Sequence, residues 1–513
     1  MTKSQHILWT ALLISAVFIP RQLFAQEDNI RLVFAEDVVN SVEHPNTDVA
    51  RGHVEFKHGT TRLFCDSALY FRDFNLVHAY SNVQINQGDT VNLFCDSLKY
   101  NGNTNISKLL SNVRFRDNEY LMLTDSLEYD GNRSVGYYTN HAHISSIKND
   151  MKLTSVKGYY YSESKIFYFK DSVHLEDEKY ELFADTLEFR TIPSEAHFHG
   201  PTTILMDTSR LECKKGFYNT KTGIANLWSG ATFIEKGRIL YADSLYFDQP
   251  NDIGEGFCNV MIFDSTENVR FLADYMLKKP DNAAVTLKDN ARILQYSETD
   301  TLRLAGDTIN YHKDTLTDQQ ISIAENNVSI IKGDLFILCD SAYFSERDSI
   351  LKLHKEPILW NNTTQLFSDS MHASYYDKAF HEMTMYQNAM LIGEHEGDSI
   401  HYDQMKGKKM IASLDSNQIS SIHIIANAQA LYYPEEKQKE DSTTIEKTML
   451  KGANRVDCNS ILFRFLDGDI QSVAFLDEPT SVFYPMNQIP EKELFFKGFS
   501  WEIERKPLRP IAE

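Results

Sequence analysis

A short fragment recurs down this chain and constrains its fold more than any other feature. It is an apolar run, then Asp-Ser or Asp-Thr, then an apolar or aromatic pair. It reads Leu63-Phe64-Cys65-Asp66-Ser67-Ala68-Leu69-Tyr70, then Leu93-Phe94-Cys95-Asp96-Ser97-Leu98-Lys99-Tyr100, then Leu123-Thr124-Asp125-Ser126-Leu127-Glu128-Tyr129. Further copies centre on Asp185, Asp243, Asp307, Asp340 and Asp369. The first three steps are 30, 29 and 60 residues. A fixed period of this size signals stacked structural repeats and argues against a compact enzyme.

A second marker keeps step with the first: a turn residue followed by a β-branched or small apolar one. It appears as Gly52-His53-Val54, Asn82-Val83, Asn112-Val113, Asn259-Val260, Asn290-Ala291, Asn327-Val328 and Asn388-Ala389. Together the markers define about 14 units between residues 50 and 485.

Each unit carries two turn signals. Asn86-Gln87-Gly88-Asp89 and Asn101-Gly102-Asn103 serve one unit, Arg116-Asp117-Asn118 and Asp130-Gly131-Asn132 the next. These residue types supply left-handed and side-chain-capped turn conformations. Between turns the chain alternates, as in Val54-Glu55-Phe56, Val83-Gln84-Ile85 and Val113-Arg114-Phe115. Period-two alternation of β-branched and aromatic residues predicts strands. Leu93 and Cys95 share one face, but the next apolar pair is Leu98 and Tyr100. A one-residue slip of phase predicts a bulge or sharp bend inside the strand. The expected fold is all-β: an elongated, twisted β-jelly-roll, an open trough of stacked, bent antiparallel strands built from repeats of about 30 residues.

The ends differ from the body. Residues 1–25 read as a signal peptide: Lys3 supplies positive charge, Ile7 to Pro20 is a short apolar stretch, and Leu23-Phe24-Ala25 ends in a small residue suited to cleavage. The alternative is an uncleaved N-terminal anchor. Residues 26–485 form the repeat region, with a polar loop insertion expected near 433–447. Residues 486–513 read as a C-terminal cap or docking tail, because a stacked sheet needs its end covered.

Formal charge is −21, which argues against nucleic acid and anionic membrane surfaces as partners. Of the six cysteines, Cys65, Cys95 and Cys339 share one repeat position, where other copies carry Ala184, Ala242 or Thr124. That pattern reads as a small buried slot. In a ladder of hairpins Cys65 and Cys95 lie two strands apart, about 9–10 Å, beyond disulfide reach; in a single-coil solenoid they would be neighbours.

The residues carry no catalytic signature and call for no cofactor. The recurring Asp is flanked by Ser, Leu and Tyr, not by the Gly-rich oxygen cage of a calcium turn, and is expected to satisfy backbone donors at the bend. His141-x-His143 and His197-x-His199 place two imidazoles on one strand face, without the further ligands a metal needs. The candidate site is the apolar interior, lined by Val54, Phe56, Val83, Ile85, Tyr100, Val113, Phe115 and Tyr129.

Gly52-His53-Val54-Glu55-Phe56 through Cys65-Asp66-Ser67-Ala68-Leu69-Tyr70 resembles one unit of the OstA-like family, and the paired markers extend the resemblance over residues about 30 to 485. The family includes periplasmic lipopolysaccharide-transport proteins, and the length resembles the long form of the Bacteroidetes group. The resemblance implies a non-enzymatic periplasmic protein. It would bind the acyl chains of lipopolysaccharide or a related glycolipid in an apolar groove and bridge inner and outer membranes for outer-membrane assembly. Its implied partners are the inner- and outer-membrane components of the export machinery, with end-to-end self-association. The other function class is a structural or adhesive exported β-solenoid with no lipid inside.

Overall fold

The computed structural model describes residues 29–507, apart from 44, 88–90, 149, 281–283, 299, 314–318, 378, 396, 416–417, 440–445 and 467–468. Residues 1–25, expected to be a signal peptide, and residues 88–89 of the expected turn therefore lie outside the described residues. The chain divides into two compact units, one ending at Ser164 and the other starting at Lys165. Both are β-jelly-rolls of bent antiparallel strands. The described residues include no α-helix, only three-residue 3₁₀ turns, and no helix long and apolar enough to cross a membrane.

In the first unit the main strands are Thr47–His58, Thr61–Phe71, Leu76–Gln87, Val91–Asn101, Ile106–Arg116 and Tyr120–Asp130, each paired with the next. The expected bend is present and its cause is visible in the register. Tyr80 pairs with Ser97 and Val83 with Cys95, so Ser81 and Asn82 together oppose the single residue Asp96. The doubled residues take left-handed backbone, Ser81 at φ 60° and Asn82 at φ 49°. Gly and Asn enter that region at least cost, which is why the second marker opens with them. The two sequence markers are thus the two sides of one corner.

The corner also assigns a role to the recurring Asp, different from the one expected. At several corners its carboxylate accepts a hydrogen bond from an Asn side-chain amide on the following strand, while Asp340 accepts instead from Lys355. The pairs are Asn82 to Asp66 at 2.8 Å, Asn112 to Asp96 at 2.6 Å, Asn259 to Asp243 at 2.8 Å and Asn388 to Asp369 at 3.0 Å. The left-handed Asn turns its amide outward over the unpaired Asp, so the clip joins side chain to side chain. Cys65 and Cys95 sit on alternate strands, and all six cysteines are free thiols, as the hairpin ladder requires. Burial pushes both of these thiols up to about 12, so they act as small apolar fillers.

The second unit continues the pattern from Ile166–Glu176 to Thr480–Pro485. Where the sequence predicts a polar loop near 433–447, the chain forms a two-stranded hairpin, Glu435–Lys439 against Glu446–Leu450. The run Glu435-Glu436-Lys437-Gln438-Lys439 carries no apolar residue, so period-two alternation gave no sign of the strand.

The last strands of this unit are apolar on both faces. Leu391, Met405 and Ala430 form the interior row. Their neighbours Met390, Ile392 and Leu431 point the other way and are equally buried. The C-terminal segment covers them, with Phe496 in the cluster and Phe499 and Trp501 packed against it. Two fully buried amides hold that segment by its backbone. Gln404 donates to the Leu494 carbonyl at 2.7 Å and accepts from the Phe496 N–H at 2.8 Å. Gln365 donates to the Ser500 carbonyl at 2.7 Å and accepts from the Glu502 N–H at 2.8 Å. Residues 494–502 therefore lie across the outer face of the sheet.

Candidate functional site

The bend gives each strand two halves, and their inward faces meet in one interior. All eight residues predicted to line it face inward in the first unit. Val54, Phe56, Val83 and Val113 are at most 1 % exposed, and Ile85, Tyr100, Phe115 and Tyr129 at most 4 %. Rings from opposite halves touch across the interior: Phe56 meets Tyr70 at 5.6 Å and Phe115 meets Tyr160 at 5.2 Å, both edge to face. The interior of this stretch is filled by its own side chains.

The middle of the second unit is built from the same repeat but packs differently. Phe233 holds the position of Phe56, Ile262 that of Ile85 and Phe271 that of Leu93; all three are only half-buried. The corner row explains part of the change. It runs Val54, Cys65, Val83, Cys95 in the first unit, and Ala231, Ala242, Val260, Ala273, Ala291, Gly306 in the second. Ala and Gly remove side-chain volume from the interior at successive rungs.

A cavity of about 130 Å³ lies in this stretch. Its apolar wall includes Phe271, Ile293, Leu304, Ile330, Ala342, Phe344 and Phe380. An engineered apolar cavity of about 150 Å³ accepts an aromatic ring, so this space admits a segment of hydrocarbon chain. Polar groups collect at the rim: Asp264, Glu267, Gln295, Gln320, Ser322, Tyr311 and Tyr375. None of these residues was singled out by the repeat, because each occupies an ordinary inward position; the run of Ala and Gly at the corner was the available signal.

The rim is electrostatically ordered. Asp264 accepts from Arg238 Nε at 2.7 Å and from the N–H groups of Thr266 at 3.0 Å and Glu267 at 3.2 Å. Burial alone would raise its carboxyl, but Arg238 and the two amides outweigh burial and hold it below the usual range. Burial drives the Tyr311 hydroxyl up to about 12, with Arg238 opposing and Glu267 adding to the rise. Burial and then Asp300 take Tyr375 to about 12 as well. Both hydroxyls thus stay protonated at neutral pH and can donate. Tyr375 Oη donates to Gln295 Oε1 at 3.3 Å.

No group of three His, Cys, Asp or Glu among the described residues can hold a metal ion. His197 hydrogen-bonds with Glu195 at 2.9 Å and His199 with Glu188 at 3.2 Å, so both imidazoles are taken up by neighbouring carboxylates.

The fold and site define an all-β shell with an apolar inner face. Residues 30–185 match the family model described as OstA-like protein, so the resemblance carried by the paired markers holds over that stretch. No curated protein matches the chain.

Proposed function

We propose that this chain is a non-enzymatic periplasmic lipid-transport protein that takes up acyl chains of lipopolysaccharide or a related glycolipid along its inner face and helps bridge the inner and outer membranes. The OstA-like match of residues 30–185 suggests periplasmic lipopolysaccharide transport. The observation that carries the reading is the cavity behind Gln295 and Tyr375, walled by apolar side chains and rimmed by polar ones. Such a site suits a chain with a polar end: the hydrocarbon gains about 25 cal/mol per Å² of apolar surface buried, while the polar end stays at the mouth.

The interior of the first unit is filled by its own side chains, so a lipid must displace them to enter there. On this reading Val54, Phe56, Val83, Ile85, Tyr100, Val113, Phe115 and Tyr129 line a groove that a lipid must open. Depletion of the protein in cells tests the proposal. Lipopolysaccharide should accumulate at the inner membrane. Normal delivery to the outer surface would overturn it.

A further inference from the structure

We propose that the Gln295–Tyr375 pair is a latch across the mouth of the interior, and that lipid enters the cavity of the second unit by breaking it. This rests on the lipid-transport reading and adds the place and means of entry.

The latch follows from where the two residues sit on the bent strands. Gln295 lies on Val285–Tyr296, beyond Ile293, at the outer end of one half. Tyr375 lies on Ser370–Tyr376, two positions beyond Ala373, at the outer end of the other half. Both line the cavity, and their hydrogen bond joins the halves on its mouth side. No backbone ladder ties these two strands to each other: Gln295 pairs with Val269 and Leu302, and Tyr375 pairs with Phe380. The closure here is made by side chains alone.

The same construction recurs where the interior is full. In the first unit Tyr160 Oη donates to Asp117 Oδ2 at 2.9 Å, and Tyr100 Oη lies 2.5 Å from His58 Nδ1. Each joins the end of one half to the end of the other. The Gln295–Tyr375 bond, at 3.3 Å, is the longest of the three and the one that borders empty space. A longer bond between neutral groups is the weaker closure. Behind Tyr160 and Tyr100 an opened mouth would meet packed Phe115 and Phe56; behind Tyr375 it meets a cavity ready to be occupied.

The test uses the full chain and the fluorescent fatty acid cis-parinaric acid, mixed by stopped flow. Tyr375→Phe keeps the ring and removes the donor. It should speed association roughly fivefold, the factor that corresponds to losing one ordinary hydrogen bond, with the final fluorescence unchanged. Tyr160→Phe, in the filled unit, should leave the rate unaltered. Binding by the wild type with the same association rate in Tyr375→Phe overturns the latch while sparing the lipid reading. Equal acceleration by Tyr160→Phe overturns the assignment of entry to the second unit. Absence of any binding by the wild type overturns the lipid reading itself.

Discussion

Residues 47–130 and residues 224–345 are written in one repeat and fold into one kind of bent strand, yet they pack differently. In the first stretch Phe56 and Leu63 are almost wholly buried. In the second, Phe271 and Leu304 hold the position of Leu63 and are half-buried in the wall of a cavity. The difference does not arise at the corner geometry, since Ser81-Asn82 and Cys258-Asn259 both take the left-handed pair that makes the bend. It arises from side-chain volume along the inner rows. A repeat fixes where residues point; the sizes of the residues decide whether the enclosed space is structural core or binding site.

The largest expected effect separates the two stretches by stability. Phe56→Ala should cost about 3–5 kcal/mol, because a buried ring is removed from a filled interior. Phe271→Ala should cost roughly 1–2 kcal/mol, because part of its ring already faces the cavity. Urea unfolding of each variant measures the contrast, and equal losses would erase it.

The tail gives the next effect. Gln404→Ala leaves the Leu494 carbonyl and Phe496 N–H without their partner in a buried site, a loss of about 1–3 kcal/mol. Limited proteolysis should then cleave the chain near residue 490 faster than in the wild type, while the first unit keeps its resistance.

Filling the cavity should act in the opposite direction. Ala342→Leu adds apolar volume at a buried lining position and should raise stability by about 0.5–1 kcal/mol. The same change should weaken fatty-acid binding severalfold in a fluorescence titration. A matching enlargement in the first unit, Ala68→Leu, meets a full interior and should destabilise.

The smallest effect is on pH. The Asp264 carboxyl is held below its ordinary value of 3.8 in the folded chain. A depressed carboxyl contributes stability that is present above its unfolded value and is lost as pH falls through its folded value. Asp264→Asn should therefore lower stability at neutral pH and flatten the acid limb of the stability profile below about pH 4, so that the two profiles converge in acid. An effect confined to alkaline pH would contradict this assignment.

Much of the fold was legible in the sequence because its cause is local. The phase slip between Cys95 and Leu98 marks the bulge, and the Asn of each second marker marks the left-handed residue that makes it. The inward direction of Val54, Phe56, Ile85 and Phe115 follows from alternation alone. The cavity was not legible, because it depends on the volumes of residues from Asp264 to Phe380 summed across two halves of the trough. The outer layer left a trace in Ala389-Met390-Leu391-Ile392, a run apolar on both faces, which signals a strand covered on both sides. The clamp by Gln365 and Gln404 left none, since their partners lie 137 and 92 residues further along the chain.

On the lipid-transport reading, the hollow part of the interior receives the lipid. A photo-crosslinking amino acid placed at Ile293, in the cavity wall, tests it directly in cells. A lipopolysaccharide adduct is expected at Ile293 and none at its outward neighbour Arg292. An adduct at Arg292 but not at Ile293, or at neither, would contradict it.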